Sequence, residues 1–96
     1  MSKVTSPPVK LVLRLYIAGL APNSVRAIAN VKAICQEHFA SRHVLEIVDL
    51  QWHAQRAMAD GVIVTPTLLK LRPGPVQRMV GDLSNTAQVL LTLSGT

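Results

Sequence analysis

Acidic side chains are scarce in this chain. Five Asp and Glu stand against ten Lys and Arg in 96 residues, a formal net charge of +5. Such a balance suits nucleic acid or an acidic protein surface as partner. The basic residues are scattered along the chain, however, and only Tyr16, Phe39 and Trp52 are aromatic, so a stacking platform for single strands is not expected. Cysteine occurs once, at Cys35, which excludes an intrachain disulfide and any Cys-x-x-Cys chemistry. His38, His43 and His53 are not at tight metal-ligand spacing, and no second cysteine or carboxylate cluster joins them, so neither metal nor cofactor is expected. No apolar run approaches the length of a membrane span, and the N-terminus lacks the apolar core of a secretory signal, so a cytoplasmic protein without membrane contact is the expectation.

What is present organises around Val9 to Phe39. Val9, Leu11, Leu13, Leu15 and Ile17 alternate, which predicts a strand with one apolar face. Lys10, Val12, Arg14 and Tyr16 form a mixed, partly covered opposite face. Gly19, Pro22 and Asn23 turn the chain. From Ser24 the apolar step changes to three and four, with Val25, Ile28, Val31 or Lys32, Cys35 and Phe39 in line, as on an amphipathic helix capped by Asn23 or Ser24. Strand, tight loop and long helix open a βαβ unit.

The remainder follows in order. Residues 1–8 form a polar tail, and 9–96 a single domain. After a connection at Ala40 to His43, the β-branched run Val44 to Asp49 predicts a second strand. Leu50 to Asp60 predicts a short helix with Leu50, Ala54, Ala57 and Met58 on one side, closed by Gly61. Trp52 is expected to anchor it in the core. Leu68 to Arg72 and Val76 to Val80, joined by Pro73-Gly74-Pro75, read as an antiparallel hairpin. Gly81 to Ser84 is a second turn, with Asp82 a turn residue. Ser84 is expected to cap a last helix from Asn85 to about Leu93, with Val89, Leu90 and Leu93 inward.

The order is therefore β-α-β-α-β-β-α, a thioredoxin-like α/β fold with a mixed four-stranded sheet. Thioredoxin-like folds usually hold a cis proline ahead of the third strand, so Thr65–Pro66 is expected to be cis. The loop that would carry thiol chemistry falls at Ala21 to Ser24 and contains no sulfur. Without a thiolate there, oxidoreductase activity is not expected and no catalytic residue is assigned. Cys35 reads as a small buried hydrophobe.

Four stretches carry a more specific likeness: Leu15 to Gly19, Pro22 to Ala27, Thr65 to Leu68, and Gly81 to Ser84. In this order and spacing they resemble the KaiB family of circadian-clock proteins and their bacterial paralogues, from about Lys10 to Leu93. The resemblance implies a non-enzymatic interaction module that binds a KaiC-type hexameric ATPase ring. It also implies competition with a histidine kinase bearing a KaiB-like sensor domain, and recruitment of other clock proteins. Members of the family have two folds: the thioredoxin-like one, here expected at rest and monomeric, and a tetrameric β-α-β-β-α-α-β form with the second half rebuilt. By this likeness Arg26 and Arg78 face the ring, Asn23 also belongs to the partner-binding residues, Glu46 and Ile47 lie on an open edge strand, and Pro66, Gly81, Asp82 and Ser84 sit where the folds diverge.

The chain departs from the family in several places. Glu46 stands where a basic residue is common, Gly61 where a lysine is common, and Gly74 interrupts a proline run. Arg78 alone remains of a basic pair, and no acidic segment follows Leu93 within the 96 residues. A stress-response or signalling paralogue that does not bind a KaiC, and a thiol-dependent thioredoxin-like protein, are the alternatives. Glu46 itself reads either as a guard against self-pairing or as a selector of a basic partner strand.

Overall fold

A computed structural model describes residues 10–94. The expected tail, and Val9 at the predicted strand start, lie outside the described residues. The elements run β1 (Leu11–Ile17), α1 (Pro22–His38), β2 (His43–Asp49), α2 (Ala54–Ala59), β3 (Thr67–Arg72), β4 (Gln77–Val80) and α3 (Thr86–Leu93). The strands form one sheet in the order β2-β1-β3-β4. β1 and β2 are parallel, with Leu11 opposite His43 and Ile17 opposite Asp49. β3 runs antiparallel to both β1 and β4. This is the thioredoxin-like arrangement, and Thr65–Pro66 is cis, as are Arg72–Pro73 and Gly74–Pro75.

The alternation in β1 divides the molecule into two layers. Leu11, Leu13, Leu15 and Ile17 are buried beneath α1 and α3, against Ala27, Val31, Ile34, Cys35, Val89 and Leu93. Tyr16, on the other face, is buried with Val48, Leu69 and Ala57, the single buried residue of α2.

Several local expectations are corrected. α1 begins at Pro22, with Ala21 as N-cap and no side-chain cap. A proline in the first turn has no N–H to satisfy, so the helix starts there without help from Asn23 or Ser24. Ser24 is instead buried, and its hydroxyl accepts from the Ala18 N–H at 3.0 Å. The inward line of α1 is Ser24, Ala27, Val31 and Ile34–Cys35, while Val25 and Lys32 face outward. Small residues at Ser24 and Ala27 let the helix approach the sheet closely, which places the larger Val25 outside.

α2 is shorter than expected. The chain first makes a turn governed by Asp49, whose carboxylate accepts from the N–H groups of Gln51 at 2.9 Å and Gly19 at 3.2 Å. Its carbonyl accepts from Trp52 and His53. That turn carries the Trp52 ring away from the sheet, leaving the residue 78% exposed, so it is not a core anchor. Ala54 and Met58 are also exposed, and Leu50 packs only at the margin of the small cluster.

At the other end of the chain, β4 begins at Gln77 because Val76 remains outside the ladder. α3 is capped by Asn85, whose side chain accepts from the Gln88 N–H at 3.2 Å. Ser84 does not cap it: its N–H is held by the Asp82 carboxylate at 3.0 Å, which delays the helix by one residue. Leu83, next to it, has φ +63 and a buried side chain, a left-handed position that few non-glycine residues adopt. Leu90 is only half-buried.

Candidate protein-docking surface

β2 lies at the edge of the sheet, beside β1 alone. Among the described residues its outward N–H and C=O groups have no strand partner, the condition in which an edge accepts another strand. Val44 and Ile47 on it are exposed. Glu46 on that strand is engaged by two arginines of the same chain. Its carboxylate lies 2.9 Å from Arg14 Nε and 2.8 Å from Arg56 Nη2. Arg14 also donates to Asp60 at 2.9 Å. The Tyr16 hydroxyl donates to the same Asp60 oxygen at 2.5 Å and lies 3.0 Å from the Arg56 carbonyl.

The electrostatics follow from these contacts. Hydrogen bonds from Arg14 and then Arg56 hold the Glu46 carboxyl below its ordinary pKa. Hydrogen bonds from Tyr16 and then Arg14 do the same for Asp60. Burial, then the hydrogen bond to Asp60, raises Tyr16. The Arg14 guanidinium is raised in turn, chiefly by Glu46 and Asp60. All four ionic side chains are consumed in tying α2 to β1 and β2.

Arg26 and Arg78 are not brought together on one face. Arg26 is exposed on the first turns of α1, bonded to the Asn23 side chain and 3.5 Å from the Asp82 carboxylate. Arg78 stands opposite Leu69 in the β3–β4 ladder, hence on the α2 side of the sheet. It donates to the carbonyls of Gly61 and Asp60, each at 3.0 Å. Gly61 has φ +69, a conformation that admits glycine readily. The two arginines thus flank, from opposite faces, the end of the sheet where β1, β2 and β4 finish and β3 starts.

That end holds the residues that pattern reading did not single out. Leu20 is 91% exposed and Ile63 92%, and Trp52 stands on the same end. Leu20 and Ile63 lie in connections rather than elements, so neither periodicity marks them; an isolated apolar residue in a turn was the only available signal. A groove of about 890 Å³ runs beside this end, lined by Leu20, Val25, Ile28 and Ala29, with Lys32 and Asp49 at its rim. Pro66 is buried here, and its carbonyl accepts from the Gly81 N–H at 3.0 Å. The Asp82 carbonyl accepts from the Asn30 side chain at 2.8 Å. Asp82 is held below its ordinary pKa, mainly by hydrogen bonds from Ser84.

The one thiol of the chain is not on this surface. Cys35 is buried on the inner face of α1, and burial raises its thiol to about 11. Among the described residues, no three His, Cys, Asp or Glu side chains gather to hold a metal ion, and no helix is long and apolar enough to cross a membrane.

Residues 14–94 match the family model described as KaiB domain. The chain is 49% identical over 84 residues to "Circadian clock protein KaiB3" of Synechocystis sp., covering 88% of this chain and 82% of that one. It is 41% identical over 88 residues to "Circadian clock oscillator protein KaiB" of Prochlorococcus marinus, covering 92% and 74%. Among solved structures, the N-terminal domain of Synechococcus elongatus SasA superposes with a TM-score of 0.76 at 24% identity, covering 100% of this chain and 94% of that one. Fasciola hepatica thioredoxin superposes at 0.73 with 19% identity, covering 88% and 79%. These two likenesses concern the fold alone.

Proposed function

Because the chain belongs to the KaiB family, we propose that it is a non-enzymatic interaction module of a circadian clock or related signalling system, docking on a KaiC-type hexameric ATPase ring. One observation carries this reading. An open β2 edge and an exposed apolar sheet end stand together on a fold whose thiol loop holds no sulfur. The ring contact uses the sheet end, with Arg26 and Asn23 on one side and Arg78 on the other. The β2 edge, through Ile47, is left for a second partner. A histidine kinase whose sensor domain shares this fold competes for the ring. The bound form is the thioredoxin-like monomer, and a tetrameric alternative fold, with the chain after β2 rebuilt around Pro66 and Gly81 to Ser84, is its reserve.

Mixing the protein with a KaiC-type ATPase from the same cell and weighing the complexes by native mass spectrometry tests this. Ring-bound copies are expected, fewer with Arg26→Glu, and unchanged in number with a folded Ile47→Pro, which removes a ladder donor only at the edge. Absence of any ring complex, with the protein shown folded by circular dichroism, contradicts the reading and favours a paralogue that serves another partner.

A further inference from the structure

The sheet's other end gathers charge that the sequence spreads out. Arg42 and His43 open β2, Lys10 precedes β1, and Arg72 closes β3. Strand pairing sets Leu11 opposite His43 and Val12 opposite Arg72, and the Leu11 N–H donates to the Arg42 carbonyl at 2.7 Å. Adjacent strands lie about 4.8 Å apart, so the backbones that carry Lys10, Arg42 and Arg72 span roughly 10 Å. Lys10, Arg42 and Arg72 are exposed. Lys70 is buried behind them with its ammonium on the Pro73 carbonyl at 2.8 Å.

Among the described residues almost nothing neutralises them. Of the five side-chain carboxylates in the sequence, Glu46 and Asp60 are taken up by Arg14 and its neighbours, while Asp49 and Asp82 lie at the opposite end. Only Glu37 is near, exposed beside His38 at the close of α1. Arg42 stacks over Phe39 at 5.6 Å and donates to the His38 carbonyl at 3.3 Å, so the guanidinium is positioned rather than loose. The open edge of β2 starts at this same place.

We propose that this end receives an acidic polypeptide segment flanking a strand added to β2. The inference rests on the edge reading given above and specifies the partner's chemistry. Backbone donors and acceptors beside a row of cations suit an extended chain bearing carboxylates. A nucleic acid lacks the regularly spaced peptide donors and acceptors that continue a ladder. The half-buried Phe39, already covered by Arg42, offers no platform on which a base could stack. β2 begins here, so an antiparallel partner brings its C-terminal flank to Arg42, and a parallel one its N-terminal flank.

Peptides carrying an alternating Thr-Val strand segment, with a run of glutamates at one end or the other, provide the probe. Glutamine versions and an oligonucleotide of equal charge serve as comparisons, and binding is followed by backbone amide shifts. One glutamate peptide should move the amides of Val44 to Val48 together with those of Lys10, Arg42 and Arg72, and bind about tenfold more tightly than its glutamine version. The advantage should fall with salt and vanish in an Arg42→Glu, Arg72→Glu protein. Equal binding of glutamate and glutamine peptides, with the β2 amides still shifting, overturns the acidic flank and spares the edge. No shift from Val44 to Val48 with any peptide overturns both. Tighter binding of the oligonucleotide at this end overturns the proposal in favour of nucleic acid.

Discussion

The two faces of the sheet are held by different physics. Under α1 and α3, a dry layer of Leu, Ile, Val and Ala is closed to water, and the one polar side chain of α1 within it, Ser24, is satisfied locally by Ala18. Under α2, four buried residues make a small cluster, and Arg14, Glu46, Arg56 and Asp60 supply the remaining attachment through ion pairs at 2.8–2.9 Å. The first attachment scales with apolar area and ignores pH. The second depends on geometry and on two carboxylates staying ionised. The α1 face is therefore expected to be the more persistent half of the packing, and α2 with the connection to β3 the half more readily released.

Substitutions should separate the faces by size of effect. Leu15→Ala, at a fully buried site in the large layer, should cost about 3–4 kcal/mol of unfolding free energy and lower the urea midpoint for every probe together. Asp60→Ala removes the acceptor for both Tyr16 and Arg14, and leaves the buried phenol with only the Arg56 carbonyl. It should cost about 2 kcal/mol, seen first as faster amide exchange in α2.

Acid should act on the same face. Glu46 and Asp60 have pKa values below their unfolded ones, so their stabilisation is full above an unfolded pKa of about 4 and is lost as pH falls through the folded values. Glu46→Gln should therefore destabilise by about 1 kcal/mol at neutral pH, its partners being partly exposed, and by progressively less in acid. Thermal melts of both proteins between pH 7 and pH 2 will show whether the curves converge.

The smallest effect belongs to Trp52→Ala, expected within about 0.5 kcal/mol of wild type because the ring covers nothing essential. Trp52 is the sole tryptophan, so the folded protein should already emit as water-exposed indole. A blue-shifted native spectrum would place the ring inside a packed layer after all.

What could be read in the sequence divides along the same line. The elements of the large layer were legible, from the period of two in Leu11 to Ile17 to the long and final helices, because one buried face imposes one period, whereas their caps and the inward line of α1 at Val25 were not. The α2 face was not. Glu46 meets Arg14 across 32 positions and Arg14 meets Asp60 across 46, distances at which no local pattern signals pairing. Trp52 was misjudged because composition suggested a core residue, whereas the Asp49 carboxylate and carbonyl shape a turn that points it outward. Lys10, Arg42 and Arg72 looked scattered for a related reason: strand pairing, not chain order, makes them neighbours. Arg26 and Arg78 are both exposed, but their placement on opposite sides of the sheet follows only from the β3–β4 register.

Native-state hydrogen exchange across a series of low denaturant concentrations measures the contrast between the faces most directly. Amides of β1 and α1 should exchange only through global unfolding, while those of α2 and of Asp60 to Val64 should exchange through a smaller opening. At pH 3 that smaller opening should become easier while β1 and α1 keep their protection relative to the global free energy. If α2 instead shares the exchange free energy of β1 at both pH values, the two faces form one cooperative unit and the second half has no separate means of release.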